Sequence, residues 1–123
     1  MSQPCAEERP TFSAPIEIDR LAQNTAGNRK LERELLALFR AQTGTYLAAF
    51  ETAEDDERWH LAAHTLKGAA QAVGAMRIAA LAEEAERLVG ESAKKRAPAL
   101  ESIRRAVDEA RRFIDYQLLD SAH

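Results

Sequence analysis

The chain has 123 residues, of which 46% are hydrophobic and 30% charged, with only five glycines and four prolines. This size fits one globular domain, and the composition is typical of a turn-poor protein rich in helix-forming residues. A net charge of -3 argues against a nucleic-acid-binding module. No segment has the roughly 18–20 apolar residues that cross a bilayer, and a single cysteine cannot form an internal disulfide.

The N-terminal segment has three prolines among polar residues and no apolar period, which predicts a flexible tail over residues 1–15. The folded domain is then expected over residues 16–120. Ile16, Ile18 and Leu21 form a short apolar patch, which predicts a brief helix or arm across the end of that domain.

A long amphipathic helix is predicted from Asn28, an N-cap residue, to about Ala53. Its apolar side chains recur at three- and four-residue steps, at Leu31, Leu35, Leu38, Phe39, Tyr46, Ala49 and Phe50. The acidic residues 54–57 suit the start of a second helix, because carboxylates favour the positive end of a helix dipole. Gly74 is expected to end that helix after Val73, since glycine adopts the left-handed cap conformation.

A third helix is predicted after Gly74 and is expected to end at Gly90. Its apolar stripe comprises Ile78, Leu81, Ala82, Ala85, Leu88 and Val89. A basic connection over residues 91–97 then precedes a fourth helix that begins near Pro98, with the stripe Leu100, Ile103, Val107, Ala110, Ile114 and Leu118. The predicted fold is all-α, an antiparallel up-down four-helix bundle with a short N-terminal helix or arm.

The second helix has two different faces. At about 100° per residue, one side gathers the predicted core stripe of Trp59, Ala62, Leu66, Ala69 and Val73. The opposite side carries polar or very small residues, namely His60, His64, Lys67, Gly68 and Gln71. His64 is therefore predicted to lie outside the core.

The neighbours of His64 suit a nucleophilic imidazole. Lys67, one turn on, can place an ammonium beside an incoming phosphoryl group. Gly68 leaves the adjoining surface open to a partner, although a glycine in mid-helix costs about 1 kcal/mol relative to alanine. Close packing of another helix at Gly68 and a merely solvated Lys67 are the alternative explanations.

Residues 63–75 read AHTLKGAAQAVGA. This segment resembles the signature of the histidine-containing phosphotransfer (HPt) family, in which A-H-x-L-K-G is followed by five residues and then G-A. The resemblance covers about residues 28–118 and implies a carrier of phosphoryl groups in a two-component phosphorelay. It implies that His64 is the phosphoacceptor through Nε2, that Lys67 stabilises the phosphoryl group, and that Gly68 provides clearance for a receiver domain.

The same resemblance implies which partners the chain has. Response-regulator receiver domains and a hybrid histidine kinase are the expected partners. The receiver would supply Mg²⁺, so the chain is expected to need no cofactor of its own.

Helix register and the resemblance together draw attention to Glu86, where some family members carry glutamine. His64 and Glu86 lie 10 and 12 residues from Gly74, so antiparallel helices would bring them to one level. A carboxylate there could accept a hydrogen bond from the Nδ1–H of His64 and keep Nε2 free, but it would also repel a phosphoryl group. The alternative is a solvated Glu86, with Gln71 or solvent as the partner of the ring.

Two other functions remain open. His60 and His64 are spaced like metal ligands on one helix face, with Glu57 one turn earlier, but the glutamate of a helical zinc protease does not follow the first histidine. A helical adaptor or dimerisation module would share the same architecture. With no glycine-rich phosphate loop, the chain is not expected to use ATP or to be an enzyme by itself. It is also expected to be monomeric and cytoplasmic and to bind neither nucleic acid nor membrane.

Overall fold

The computed structural model describes residues 14–121, and the regular secondary structure of this part is entirely helical. Its helices are α1 (Ile18–Thr25), α2 (Arg29–Glu51), α3 (Asp56–Val73), α4 (Met76–Glu86) and α5 (Ala93–Ser121). In the bundle, α2 packs against α3 and α5, and α4 also packs against α3 and α5. The predicted four-helix bundle is therefore confirmed, with α1 as the short N-terminal helix.

Side-chain caps and one glycine set three ends of helices α2 and α3 as predicted. The side chain of Asn28 accepts a hydrogen bond from the backbone N–H of Leu31 at 3.0 Å, and that of Asp55 accepts one from Arg58 at 2.8 Å. Gly74 ends α3 with a φ of 84°, a left-handed conformation that glycine adopts without steric cost. These three ends follow from local chemistry alone.

Helix α1 closes the end of α3. The side-chain amide of Asn24 donates to the backbone carbonyls of Gln71 and Ala72, at 3.1 and 3.0 Å. The backbone N–H of Glu17 donates to the carbonyl of Gly74 at 2.7 Å. A Cβ at Gly74 would lie 2.6 Å from the carbonyl oxygen of Glu17, so close packing also requires glycine there. Helix α1 and its N-cap residue Glu17 thus provide hydrogen-bond donors for carbonyl groups at the end of α3.

In the predicted apolar patch at this end of the chain, Ile16 and Leu21 are buried and Ile18 is exposed. The predicted tail falls mostly on residues 1–13, which lie outside the described residues. Within the described part of the chain, no helix has the length and apolar character needed to span a membrane.

The apolar stripe of α2 was only partly predicted. Phe39 and Phe50 are buried, whereas Leu31 and Ala49 are exposed and Leu38 is 55% exposed. The core instead receives two residues outside the predicted stripe, Leu36 and Thr43. Leucines lie on more than one side of this helix, and the positions of α3 and α5 decide which of them are covered.

The boundary between α4 and α5 also differs from the prediction. Helix α4 ends at Glu86, and residues 87–90 form a turn that finishes at Gly90, with a φ of 89°. Helix α5 begins at Ala93, so Pro98 lies inside the helix and not in its first turn. Because proline has no backbone N–H, the second turn lacks one hydrogen bond.

Contacts of Arg96 account for the early start of α5. Its guanidinium donates to the carboxylate of Asp56 at 2.8 Å and to the carbonyl of Leu88 at 3.1 Å. It also lies over the ring of Trp59, 4.6 Å from the ring centroid. These contacts hold the first turn of α5 against α3 and the turn after α4. The Oγ of Ser92 also accepts a hydrogen bond from the backbone N–H of Lys95 at 3.4 Å, so a local cap supports the same helix start.

Candidate functional site

Helix α3 presents its two faces as predicted. The buried side includes Trp59, Ala62, Leu66 and Val73, while Ala69 is only partly buried. On the other side, the side chain of His64 is 66% exposed. A histidine this exposed on a rigid helix is accessible to another protein.

The structure places Glu86, the last residue of α4, beside His64. Nδ1 of His64 lies 3.4 Å from Oε2 of Glu86, and the glutamate side chain is only 17% exposed. The juxtaposition expected from helix register is therefore present. With Nδ1 facing a largely buried carboxylate, Nε2 is at the opposite edge of an exposed ring.

The carboxylate of Glu86 contacts three basic side chains at once. Oε1 lies 3.4 Å from Nζ of Lys67, and Oε2 lies 3.9 Å from Nδ1 of His60 in addition to its contact with His64. Burial by itself raises the pKa of this carboxyl. The hydrogen bond and charge of Lys67, with smaller contributions from His64 and His60, outweigh burial and lower the pKa below its usual value. Glu86 is thus stabilised as a carboxylate.

Trp59 fixes the level at which α4 meets α3. Its indole Nε1–H donates to the backbone carbonyl of Ala85 at 2.8 Å, and its ring packs edge-on against Phe50, with centroids 5.0 Å apart. The bonded carbonyl belongs to the residue just before Glu86. This hydrogen bond between helices therefore helps to hold the carboxylate opposite His64.

Gly68 lies in open space. A Cβ built at this position would have no neighbouring atom within 4 Å. Close packing of another helix, one of the two explanations considered for this glycine, is therefore wrong. Its small size leaves the surface next to His64 unobstructed.

A comparison with protein families decides the class of this bundle. The family model for the Hpt domain matches residues 34–114, which is more than half of the chain. The chain belongs to the Hpt domain family. The match runs from α2 into α5 and includes the whole helical face around His64, whereas α1 lies outside it.

Membership gives the general function, which is histidine phosphotransfer in phosphorelays. Hpt domains carry phosphoryl groups and interact with receiver domains and kinases. Neither the curated proteins nor the solved structures give a significant match to this chain.

Gln71 and His60 of this Hpt domain differ in their relation to His64. The side chain of Gln71 is exposed, and no hydrogen bond joins it to His64 within the described residues. The ring of His60 lies nearly parallel to that of His64, at an interplanar angle of 14° with centroids 6.0 Å apart. The spacing of four residues predicted His60 on the same face as His64, but its only predicted role was that of a possible metal ligand.

The metal-site alternative depends on a third ligand near the two histidines. Among residues 14–121, no three His, Cys, Asp or Glu side chains are arranged to hold a metal ion. The terminal His123 lies outside this range.

Proposed function

We propose that this Hpt domain carries a phosphoryl group on Nε2 of His64, to and from aspartates of response-regulator receiver domains. The observation that supports this most is the pairing of an exposed imidazole with a carboxylate at Nδ1. A hydrogen bond from Nδ1–H to Glu86 favours the tautomer in which Nε2 has a free lone pair. That nitrogen then faces the approaching partner.

In the transfer step, the Nε2 lone pair attacks the phosphorus of an aspartyl phosphate in line. The new N–P bond forms while the P–O bond to the aspartate breaks, and the carboxylate leaves with the bonding pair. His64 keeps its proton on Nδ1, where Glu86 stabilises the positive charge that develops on the ring. In the reverse step, a receiver aspartate attacks the same phosphorus, and the N–P bond breaks with its electron pair returning to Nε2.

The remaining site residues have supporting roles in this proposal. Lys67 offsets the negative charge of the phosphoryl group, and Gly68 gives the receiver room to approach. Glu86 orients the imidazole at the cost of some repulsion toward the phosphoryl group. Gln71 lies on the same exposed face and would contact the partner and not the ring.

The chemistry that the chain itself lacks is expected from its partners. A receiver domain would bring the leaving carboxylate and the Mg²⁺ ion that neutralises charge on the phosphoryl group. A hybrid histidine kinase would supply phosphoryl groups to that receiver. The chain would therefore act as a carrier and not as an enzyme. We expect it to act as a monomer.

Transfer from a phosphorylated receiver to wild type and to His64→Gln tests this function. We expect wild type to take up the phosphoryl group and the variant to take up none, because Gln retains helix propensity but has no nucleophilic ring nitrogen. Circular dichroism would check that the variant folds. A bundle that serves only as an adaptor would bind the receiver without accepting a phosphoryl group, and labelling of the variant at the wild-type level would contradict the role of His64.

A further inference from the structure

Two histidines of this site face the same carboxylate oxygen. Nδ1 of His60 lies 3.9 Å and Nδ1 of His64 lies 3.4 Å from Oε2 of Glu86. The two rings are one helical turn apart and nearly parallel, so both direct the same edge toward α4. A carboxylate oxygen has two lone pairs and can accept from both rings.

The other carboxylate oxygen is engaged by Lys67, whose Nζ lies 3.4 Å from Oε1. If Lys67 also stabilises a phosphoryl group on His64, it must share its ammonium between that group and Glu86. The phosphoryl group carries about two negative charges, so it would draw the ammonium away from the carboxylate. Glu86 would then need another donor to stay beside His64.

His60 is placed to be that donor. Its side chain is 57% exposed, so it can adjust by a rotamer change, and Oε2 is only 0.5 Å farther from it than from His64. Its ring is also stacked on that of His64, with centroids 6.0 Å apart, and the Nδ1 atoms of both rings face Oε2 of Glu86. The geometry points to an action through Glu86.

We propose that His60 is a positioning residue, which helps Lys67 to hold the Glu86 carboxylate beside Nδ1 of His64 in the free protein and replaces Lys67 when that side chain turns to the phosphoryl group. This inference rests on the proposed phosphoryl transfer and adds a residue to it. His60→Ala should therefore alter the tautomer of His64 and slow transfer. His60→Asn should keep both near the wild-type values, because the amide N–H of asparagine can replace the Nδ1–H donor.

The first test measures the ring directly, in protein with ¹⁵N-labelled histidine at a pH of about 8. NMR would give the ratio of the Nδ1–H to the Nε2–H form of His64 in wild type, His60→Ala, His60→Asn and the control Glu57→Ala, an exposed change on the same helix. We expect the ratio to fall about threefold in His60→Ala, as for partial loss of one hydrogen bond, and to remain near the wild-type value in the other variants. An unchanged ratio in His60→Ala would overturn the proposal. The NMR measurement does not require that the wild-type protein accept a phosphoryl group.

The second test separates action through Glu86 from direct contact with the receiver. At saturating phosphorylated receiver, we expect His60→Ala to slow single-turnover transfer by about threefold to tenfold, with little change in receiver affinity. In a Glu86→Ala background the same change should have almost no further effect, because the carboxylate through which it acts is gone. An equal loss in both backgrounds, or a loss confined to affinity, would overturn the positioning role. Failure of wild type to take up any label would instead contradict the proposed function.

Discussion

The two faces of helix α3 show how one short segment combines packing with chemistry. On the inner face, Leu66 is fully buried and Trp59 is hydrogen-bonded to α4. On the outer face, His64 is exposed and Gly68 has no neighbour where a side chain would begin. Substitutions on the inner face should therefore change stability, whereas substitutions on the outer face should change transfer or partner binding.

The largest effect on stability is expected from Leu66→Ala. Removal of a fully buried leucine side chain leaves a cavity, so the free energy of unfolding should fall by about 2–5 kcal/mol. Leu61→Ala is the matched control, since Leu61 is exposed on the same helix, and it should change stability by less than about 0.5 kcal/mol. Urea denaturation monitored by circular dichroism measures both. Equal losses in the two variants would remove the distinction between the faces.

A smaller effect, on binding, is expected from Gly68→Gln. The added side chain should occupy the open surface beside His64 and weaken receiver binding about tenfold, or about 1.4 kcal/mol. Gly44→Gln on α2 is the matched control, because Gly44 is also exposed and without neighbours at its Cβ position. Calorimetric titration with the receiver should find normal affinity for that control. Normal affinity in Gly68→Gln would mean that its openness does not serve a partner.

The same two glycines allow a stability comparison. Neither has a positive φ, so alanine at either position should raise the free energy of unfolding by about 0.5–1 kcal/mol. A higher free energy of unfolding in both alanine variants would mean that glycine at position 68 lowers the stability of the wild-type protein. Destabilisation by Gly68→Ala alone would show a packing constraint.

The smallest effect concerns pH and Glu86. The pKa of Glu86 is lower in the folded protein than its usual value of 4.5. The carboxylate therefore stabilises the fold fully when the pH is above 4.5, and this contribution is lost as the pH falls through the folded-state pKa. The difference in free energy of unfolding between wild type and Glu86→Gln should shrink as the pH falls from about 5 to about 3. In a Lys67→Met background the change should be smaller, since Lys67 makes the largest contribution that lowers this pKa. A difference that stays constant down to a pH of about 3 would contradict this account of the pair.

The features best predicted from the sequence are those that depend on local chemistry or on helix register. Asn28, Asp55 and Gly74 set helix ends through their own side chains or backbone freedom. The level of Glu86 relative to His64 followed from the short turn that joins antiparallel helices. Most of the predicted core stripe of α3 is buried, although Ala69 is only partly covered and the buried Ala63 and Ala70 were not predicted.

Features that depend on distant residues were not predictable. The start of α5 before Pro98 is supported by the bond of Arg96 to Asp56, forty residues away in sequence, as well as by the local cap at Ser92, which was missed. Leu36, and not Leu38, is buried in α2 because of where its neighbouring helices lie. The contact of His60 with Glu86 was missed for another reason, since helix register alone would have indicated it: the two residues lie 14 and 12 residues from Gly74.

The location of the phosphoryl group is the most direct test of the central claim. Protein with ¹⁵N-labelled histidine would be phosphorylated by a phosphorylated receiver, and NMR would identify the nitrogen that couples to ³¹P. We expect coupling at Nε2 of His64, and a label that is lost in mild acid and retained in base, as for a phosphoramidate. Coupling at another nitrogen, or a label lost in base as for an acyl phosphate, would contradict the proposal that His64 carries the phosphoryl group through Nε2.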